Sequence, residues 1–327
     1  ITLTADSTIS VTNAADTFTL SGVISGSGYC VTIGGSGTIV FAGANTYSGA
    51  TIINSGSTLN LSGSGSIANS AISNAGTFSI SGTSSGASVV NLIGAGSTVL
   101  GAKTLTISNA NGTYSGVMSG TGGLTLTAGT LTLGGANTYT GTTTINGGTL
   151  TVNGSLSDST SVAVASGATY ALGASDTITA LTGSGAVNLN GYTLTLGNAT
   201  DTYSGVMSGT GGLTLTAGTL TLGGANAYTG ATTINGGTLA LSGSGSIEAS
   251  NGVVNNGSFD IGGTTSGATI VAMSGTGNTV LGAKSLTISN ANGTYSGVMS
   301  GTGGLTITAG TLTLSGTNTY SGGTTIN

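Results

Sequence analysis

Nine side chains in this 327-residue sequence carry a formal charge: Asp6, Asp16, Asp158, Asp176, Asp201, Glu248 and Asp260, against Lys103 and Lys284. With one thiol, Cys30, they are the groups most able to do acid–base or nucleophilic chemistry. Glycoside hydrolysis needs two facing carboxylates. Only Asp158 and Asp176 have a spacing that could stack them on adjacent coils. Both lie in turn-like contexts, "LSDST" and "GASDT", where Asp is ordinarily a solvated turn former. A lyase also needs a cation beside the enolate-like intermediate, and neither lysine sits in such a cluster. The absence of histidine excludes Ser-His-Asp and Cys-His nucleophiles. One cysteine and no histidine argue against a zinc site, and no Gly-rich turn carries Asp in the calcium-binding nonapeptide frame. "GAKT" and "GAKS" resemble a phosphate loop, but Ala102 and Ala283 stand where that loop needs glycine. Both lysines read as solvated rungs. No catalytic, cofactor-binding or metal residue is assigned, and the chain is expected not to be an enzyme.

The composition narrows the classes further. There are 64 glycines and no proline or tryptophan, and 3% of residues are charged, against about 25% in an ordinary soluble domain. A net charge of -5 without a Lys/Arg cluster argues against nucleic acid and anionic membrane surfaces. No apolar run approaches the length of a membrane-spanning helix, so no membrane insertion is expected. No charged-then-apolar leader opens the chain, which reads as mature after processing or as a fragment. Cys30 excludes an internal disulfide; it reads as a small buried hydrophobe, with an intermolecular bridge as the alternative.

What would position any of these groups is a repeat. "SGV(I/M)SG" recurs at Ser21, Ser115, Ser204 and Ser296, and "AN(T/A)YxG" at Ala44, Ala136 and Ala225, with the variant "TNTYSG" at Thr317. The long period is near 90. A finer unit of roughly 19–25 residues runs inside it, within the range of solenoid coils. "GTLTL" at Gly129 returns as "GTLTV" at Gly148, and "TYSG" at Thr113 as "TYTG" at Thr138. Within each unit Leu alternates with Thr, as in Leu124-Thr125-Leu126, the period-two signature of a half-buried strand. Gly- and Asn-rich steps such as "SGTGG" and "INGG" mark corners. No helical period appears.

Like sequence at one-coil spacing favours stacked coils over an antiparallel sandwich, because stacking lays Leu on Leu and Thr on Thr at the ~4.8 Å strand spacing. The expected fold is all-β, a single parallel β-helix (β-solenoid) of about 14–16 coils. It is read as one continuous solenoid over residues 1–327, without separate domains.

"GVMSGTGGLTLTAGTLTLGGANTYTGTTTINGGTLTV", with "ITLTADSTISV" and "FTLSGVISGSG" near the start, resembles the autotransporter-associated β-strand repeat, or passenger-associated transport repeat. The resemblance implies a right-handed parallel β-helix, secreted to the extracellular side or cell surface of a Gram-negative-type bacterium. Many such proteins are adhesin-like. The chain as given departs from a full-length member in showing no translocator barrel or signal peptide.

Two function classes follow. The first is a non-enzymatic structural protein building surface fibres or stalks. The open ends suggest head-to-tail stacking on a second copy, through Ile1, Leu3, Thr325 and Ile326. The second is an adhesin passenger contacting glycans or host and matrix surfaces. Its contacts would be the repeated tyrosines (Tyr47, Tyr139, Tyr228 and Tyr320 at one position; Tyr114, Tyr203 and Tyr295 at another) or the outward Thr rows. The duller reading of the tyrosines is that they fill corners and hydrogen-bond by their hydroxyls. A flat Thr array is also the surface of some ice-binding proteins, a remote third reading.

Overall fold

Leu124 and Leu126 are fully buried while Thr125 between them is half-exposed, and this alternation repeats strand after strand. β-Branched and aliphatic residues suit a pleated surface that is wet on one side and packed on the other. A computed structural model describes residues 1–327. It contains short strands and no helix, and the strand pairs are parallel. Glycine-rich corners separate them, so that successive strands build successive faces of a coil. The structure divides into two compact units, Ile1–Ser161 and Val162–Asn327.

In the first unit one face is a sheet of eight strands, from Ser7–Ser10 through Val31–Gly34 and Thr51–Ile53 to Gly129–Leu133 and Thr149–Val152. A second face runs from Thr17–Leu20 to Met118–Gly120, and a third from Ala87–Val89 to Thr143–Ile145. Eight strands in one sheet mean eight coils. In the second unit the longest sheet also holds eight strands, from Val162–Val164 to Met299–Gly301. The expected all-β solenoid is therefore the observed fold, with coils toward the upper end of the expected number.

The register corrects the coil length. Thr113 pairs with Thr132, and Thr132 with Thr151, so the coil there has the shorter of the two spacings read from the sequence. The echo of "TYSG" at Thr113 in "TYTG" at Thr138 is not a coil. Tyr114 belongs to the strand Ala110–Tyr114, whereas Tyr139 sits at a strandless corner. Other steps are longer, as from Ser7 to Val31, or shorter, as from Thr169 to Ala186. The differences are absorbed at corners.

The long repeat is not a whole number of coils. In the first unit Thr51–Ile53 lies in the eight-stranded sheet, but its copy one long period later, Thr143–Ile145, lies in the third face. Four steps lead from Thr51–Ile53 through Ile72–Asn74, Leu92–Gly94 and Ala110–Tyr114 to Gly129–Leu133, and two further faces reach Thr143. The second unit repeats this: Thr232–Ile234 and its copy Thr324–Ile326 lie in different sheets. Within each unit, like residues of successive long repeats face different directions.

Candidate functional site

The side chains that recur in the repeat converge on one corner, built from Ala-Asn-x-Tyr and the Thr one helical-turn's length of chain after the Tyr. Asn137 is buried; its Oδ1 accepts the Met118 N–H of the preceding coil (3.0 Å), and its Nδ2 donates to the Gly135 and Ser155 carbonyls (2.9 and 3.1 Å). Asn226 does the same toward Met207, Gly224 and Ser246. One amide thus ties consecutive coils where no strand ladder does so, which is how a buried corner avoids orphaned peptide groups.

Tyr47, which follows Asn45 in the first copy of this corner, is fully buried. Its hydroxyl lies 2.6 Å from Thr51 Oγ1, which lies 2.7 Å from Ser70 Oγ, and the Ser70 hydroxyl donates to the Gly49 carbonyl (2.7 Å). Tyr228, Thr232, Ser250 and Gly230 form the same relay in the second unit, at 2.7, 2.9 and 2.8 Å. Burial pushes the Tyr47 hydroxyl up to about 12, against the smaller opposing effect of its hydroxyl partners. Burial likewise raises Tyr203, Tyr228 and Tyr295.

The second tyrosine position works differently. Tyr203 donates to the Gly185 carbonyl (2.6 Å), Tyr295 to the Gly277 carbonyl (2.5 Å), and Tyr114 to the Gly96 carbonyl. A side chain on Gly205 would meet the Tyr203 hydroxyl at 2.6 Å. The glycine of "TYSG" is therefore dictated first by the Gly185 carbonyl of the preceding coil, which such a side chain would strike, and then by the tyrosine two residues before it.

These geometries overturn the aromatic glycan face. Tyr47, Tyr114, Tyr139, Tyr203, Tyr228 and Tyr295 are all buried, and Tyr320 is half-buried. The exposed tyrosines are Tyr29 and Tyr192, outside both repeat positions. The outward threonines do form rows, such as Thr106–Thr125–Thr144 in the first unit and Thr269–Thr287–Thr306–Thr325 in the second. Within their strands these rows are a single residue wide, whereas the eight-stranded face of the first unit carries two side by side, Thr130–Thr149 and Thr113–Thr132–Thr151.

Asp158 is exposed in a turn, as expected, but Asp176 is not a solvated turn residue. It opens the strand Asp176–Ile178 with its side chain turned inward, and accepts a hydrogen bond from the Tyr170 hydroxyl (3.2 Å). The signal for this was available: "DTI" occupies the frame of "TTI", whose first residue is buried in Thr143–Ile145 and Thr232–Ile234. Cys30 is half-exposed rather than buried, with a free thiol. Lys103 and Lys284 are anchored rungs: each Nζ donates to a carbonyl of the preceding coil, Ser84 at 3.0 Å and Thr265 at 2.9 Å.

Of the residues expected at the ends, Ile1 and Ile326 are 64% and 78% exposed. Leu3 is buried, its N–H bonded to the Ser25 carbonyl (2.7 Å). Thr325 is exposed in the strand Thr324–Ile326, which pairs with Leu305–Ile307. Beside Ile1 and Leu3 an apolar recess is lined by Ile9, Phe18, Leu20 and Ile24.

No curated protein and no solved structure is matched by the chain. The family profile described as the passenger-associated-transport-repeat matches residues 34–61, 128–152, 217–241 and 309–327, together under a third of the sequence. The matched segments contain the Ala-Asn-x-Tyr corner or its Thr317 variant. They are spaced along the chain as the "SGV(I/M)SG" landmark is. The chain therefore carries four passenger-associated transport repeats in a β-solenoid, one in each of its own long periods.

Proposed function

We propose that this chain is part of the passenger of a secreted or surface-displayed protein of a Gram-negative-type bacterium, a non-enzymatic β-solenoid building a fibre or stalk. One observation carries the reading. The polar side chains that the repeat keeps, Asn137, Tyr139 and Thr143 with their copies Asn45, Tyr47, Thr51 and Asn226, Tyr228, Thr232, are turned into the core and bonded to backbone or hydroxyl groups. Multiplying the repeat multiplies coil-to-coil ties rather than exposed sites. The fractional number of coils in each long period supports this too, since it turns copies away from a shared face within each unit.

Stacking of chains belongs to the same proposal. The strand Thr324–Ile326 and the segment around Ile1 and Leu3 offer backbone edges that further coils or a second copy would cover by strand addition. Light scattering and negative-stain electron microscopy of the purified chain test it. Particles longer than one chain are expected, and Ile326→Asp should return them to single chains. Single chains in both samples would remove head-to-tail stacking and leave the stalk.

A further inference from the structure

The two lysines are the only side-chain cations in the chain, and each donates to a carbonyl one residue before the lining of a polar cleft. The first cleft, of about 290 Å³, is lined by Gly63, Ser64, Ser66, Ser85, Ser88 and Thr106. The second, of about 220 Å³, is lined by the equivalent Gly243, Ser244, Ser246, Ser266, Thr269 and Thr287. Both arise from one local construction. Strands Thr58–Gly63 and Thr238–Gly243 pair with the next coil through a register shift, between Asn60 and Ser62 in one case and Ala240 and Ser242 in the other. Such bulges re-aim the chain and commonly lie beside binding sites. Gly63 and Gly243 then take a left-handed φ of 56° and 59°, with open space in front of them.

A sheet starts across each opening. Ala87–Val89 pairs on one side only, with Leu105–Ile107, and Ala268–Ile270 only with Leu286–Ile288. The Ala87 N–H donates to Thr104 O and the Ala268 N–H to Ser285 O. Parallel-ladder alternation therefore turns the peptide groups of Ser88 and Thr269 to the opposite edge, which is the cleft side. Each cleft thus offers hydroxyls and a peptide edge, with an ammonium held just outside its lining. The ammonium donates to the carbonyl of Ser84 or Thr265, immediately before the lining residues Ser85 and Ser266.

We propose that these two clefts each bind one ring of a carboxylated sugar. The ring hydroxyls bond Ser, Thr and the open peptide edge, and the carboxylate meets Lys103 or Lys284. The volumes lie at or below the small end of ligand clefts, which suits a single ring. A carboxylate meeting an ammonium makes the stronger class of hydrogen bond. The clefts differ at three lining positions. Ser88 corresponds to Thr269 and Thr104 to Ser285, which exchanges one hydroxyl for another, but Ala68 is replaced by Glu248, so the first binds the acidic sugar more tightly. This site does not depend on the stalk reading and survives its failure.

The test is amide-resolved NMR titration of the chain with sodium galacturonate, using galactose and sodium acetate as controls. Galacturonate is expected to give saturable shifts at Ser85–Ser88 and, more weakly, at Ser266–Thr269. Lys103→Gln should weaken the first cleft by about tenfold or more, the effect of losing a hydrogen bond to a charged group, and leave the second unchanged. Lys103→Arg should retain binding, and Glu248→Ala should bring the second cleft to the affinity of the first. Unshifted remaining amides show that each variant is folded. Silence at both clefts overturns the proposal. So does galactose or acetate binding as tightly as galacturonate, or Lys103→Gln binding as well as the parent chain.

Discussion

Asn45 and Asn137 occupy the same place in two copies of one repeat, within one unit, yet they are not equally held. Both Oδ1 atoms accept the N–H of the preceding coil, from Ile24 at 2.8 Å and Met118 at 3.0 Å. Asn137 also donates twice from Nδ2, whereas the buried Nδ2 of Asn45 has no partner. The step to the next coil is longer at Asn45, from Ala44 to Ser66, than at Asn137, from Ala136 to Ser155. Asn226, beside a step from Ala225 to Ser246 that is also long, is fully bonded. Coil length alone therefore does not set the difference, and no other contact explains it. Repetition of sequence reproduces the direction of a side chain, while its full set of bonds depends on the neighbouring coils.

Deleting the better-held amide should therefore have the larger effect. Asn137→Ala orphans the buried Met118 N–H and removes two donations, and is expected to cost about 3 kcal/mol. Urea unfolding measures it against the parent chain. A loss no greater than that of Asn45→Ala would mean that the extra bonds contribute nothing.

The corners also set the alkaline limit. Burial, only partly opposed by Thr51 and Ser70 at Tyr47 and by Thr98 and Asn74 at Tyr114, raises both hydroxyls from 10.0 to about 12. Below pH 10 both folded and unfolded chains hold these protons. Above it the unfolded chain releases them first, so stability falls as pH rises from 10 to about 12. The slope is about 1.4 kcal/mol per pH unit per tyrosine, or about 2.7 kcal/mol each by pH 12. Tyr47→Phe should flatten that limb by one tyrosine's share and leave Thr51 bonded to Ser70. An unchanged slope would show that Tyr47 ionises early, at a corner already loosened beside Asn45.

Asn45→Ala should be milder, about 1 kcal/mol. It orphans the Ile24 N–H but also removes an unpartnered buried amide nitrogen. A cost near that of Asn137→Ala in the same urea experiment would imply a water-held Nδ2 at Asn45.

The fold was legible because its determinants are local. Leu124-Thr125-Leu126 states which face is wet, and "INGG" states where the chain turns. The echo of "TYSG" in "TYTG" misled because Tyr114 and Tyr139 look alike in sequence while one ends a strand and the other fills a strandless corner. Asp176 misled for a related reason: "GASDT" reads as a turn until "DTI" is set on "TTI". The clefts were not legible at all. Lys103 and Ser64 are far apart in the chain, and what joins them is a bulge and the start of a sheet, neither of which leaves a periodic mark. Glycine at 63 and 243 carries the needed φ, but among 64 glycines that signal has no contrast.

The outward rows provide the lower bound on effect size. Thr125 pairs with Thr106 on one side and Thr144 on the other, half-exposed in the middle of a strand. Thr125→Val keeps the β-branched shape that suits a strand, and surface changes of this kind stay within about 0.5 kcal/mol. In a body of this size that is a thermal shift of roughly 2 °C or less. Calorimetry on Thr125→Val is thus expected to show almost nothing, although the residue lies directly between Leu124 and Leu126. A shift several times larger would mean that the Thr row itself braces the coils, and that the inward corner at Asn137 is one of two ties rather than the dominant one.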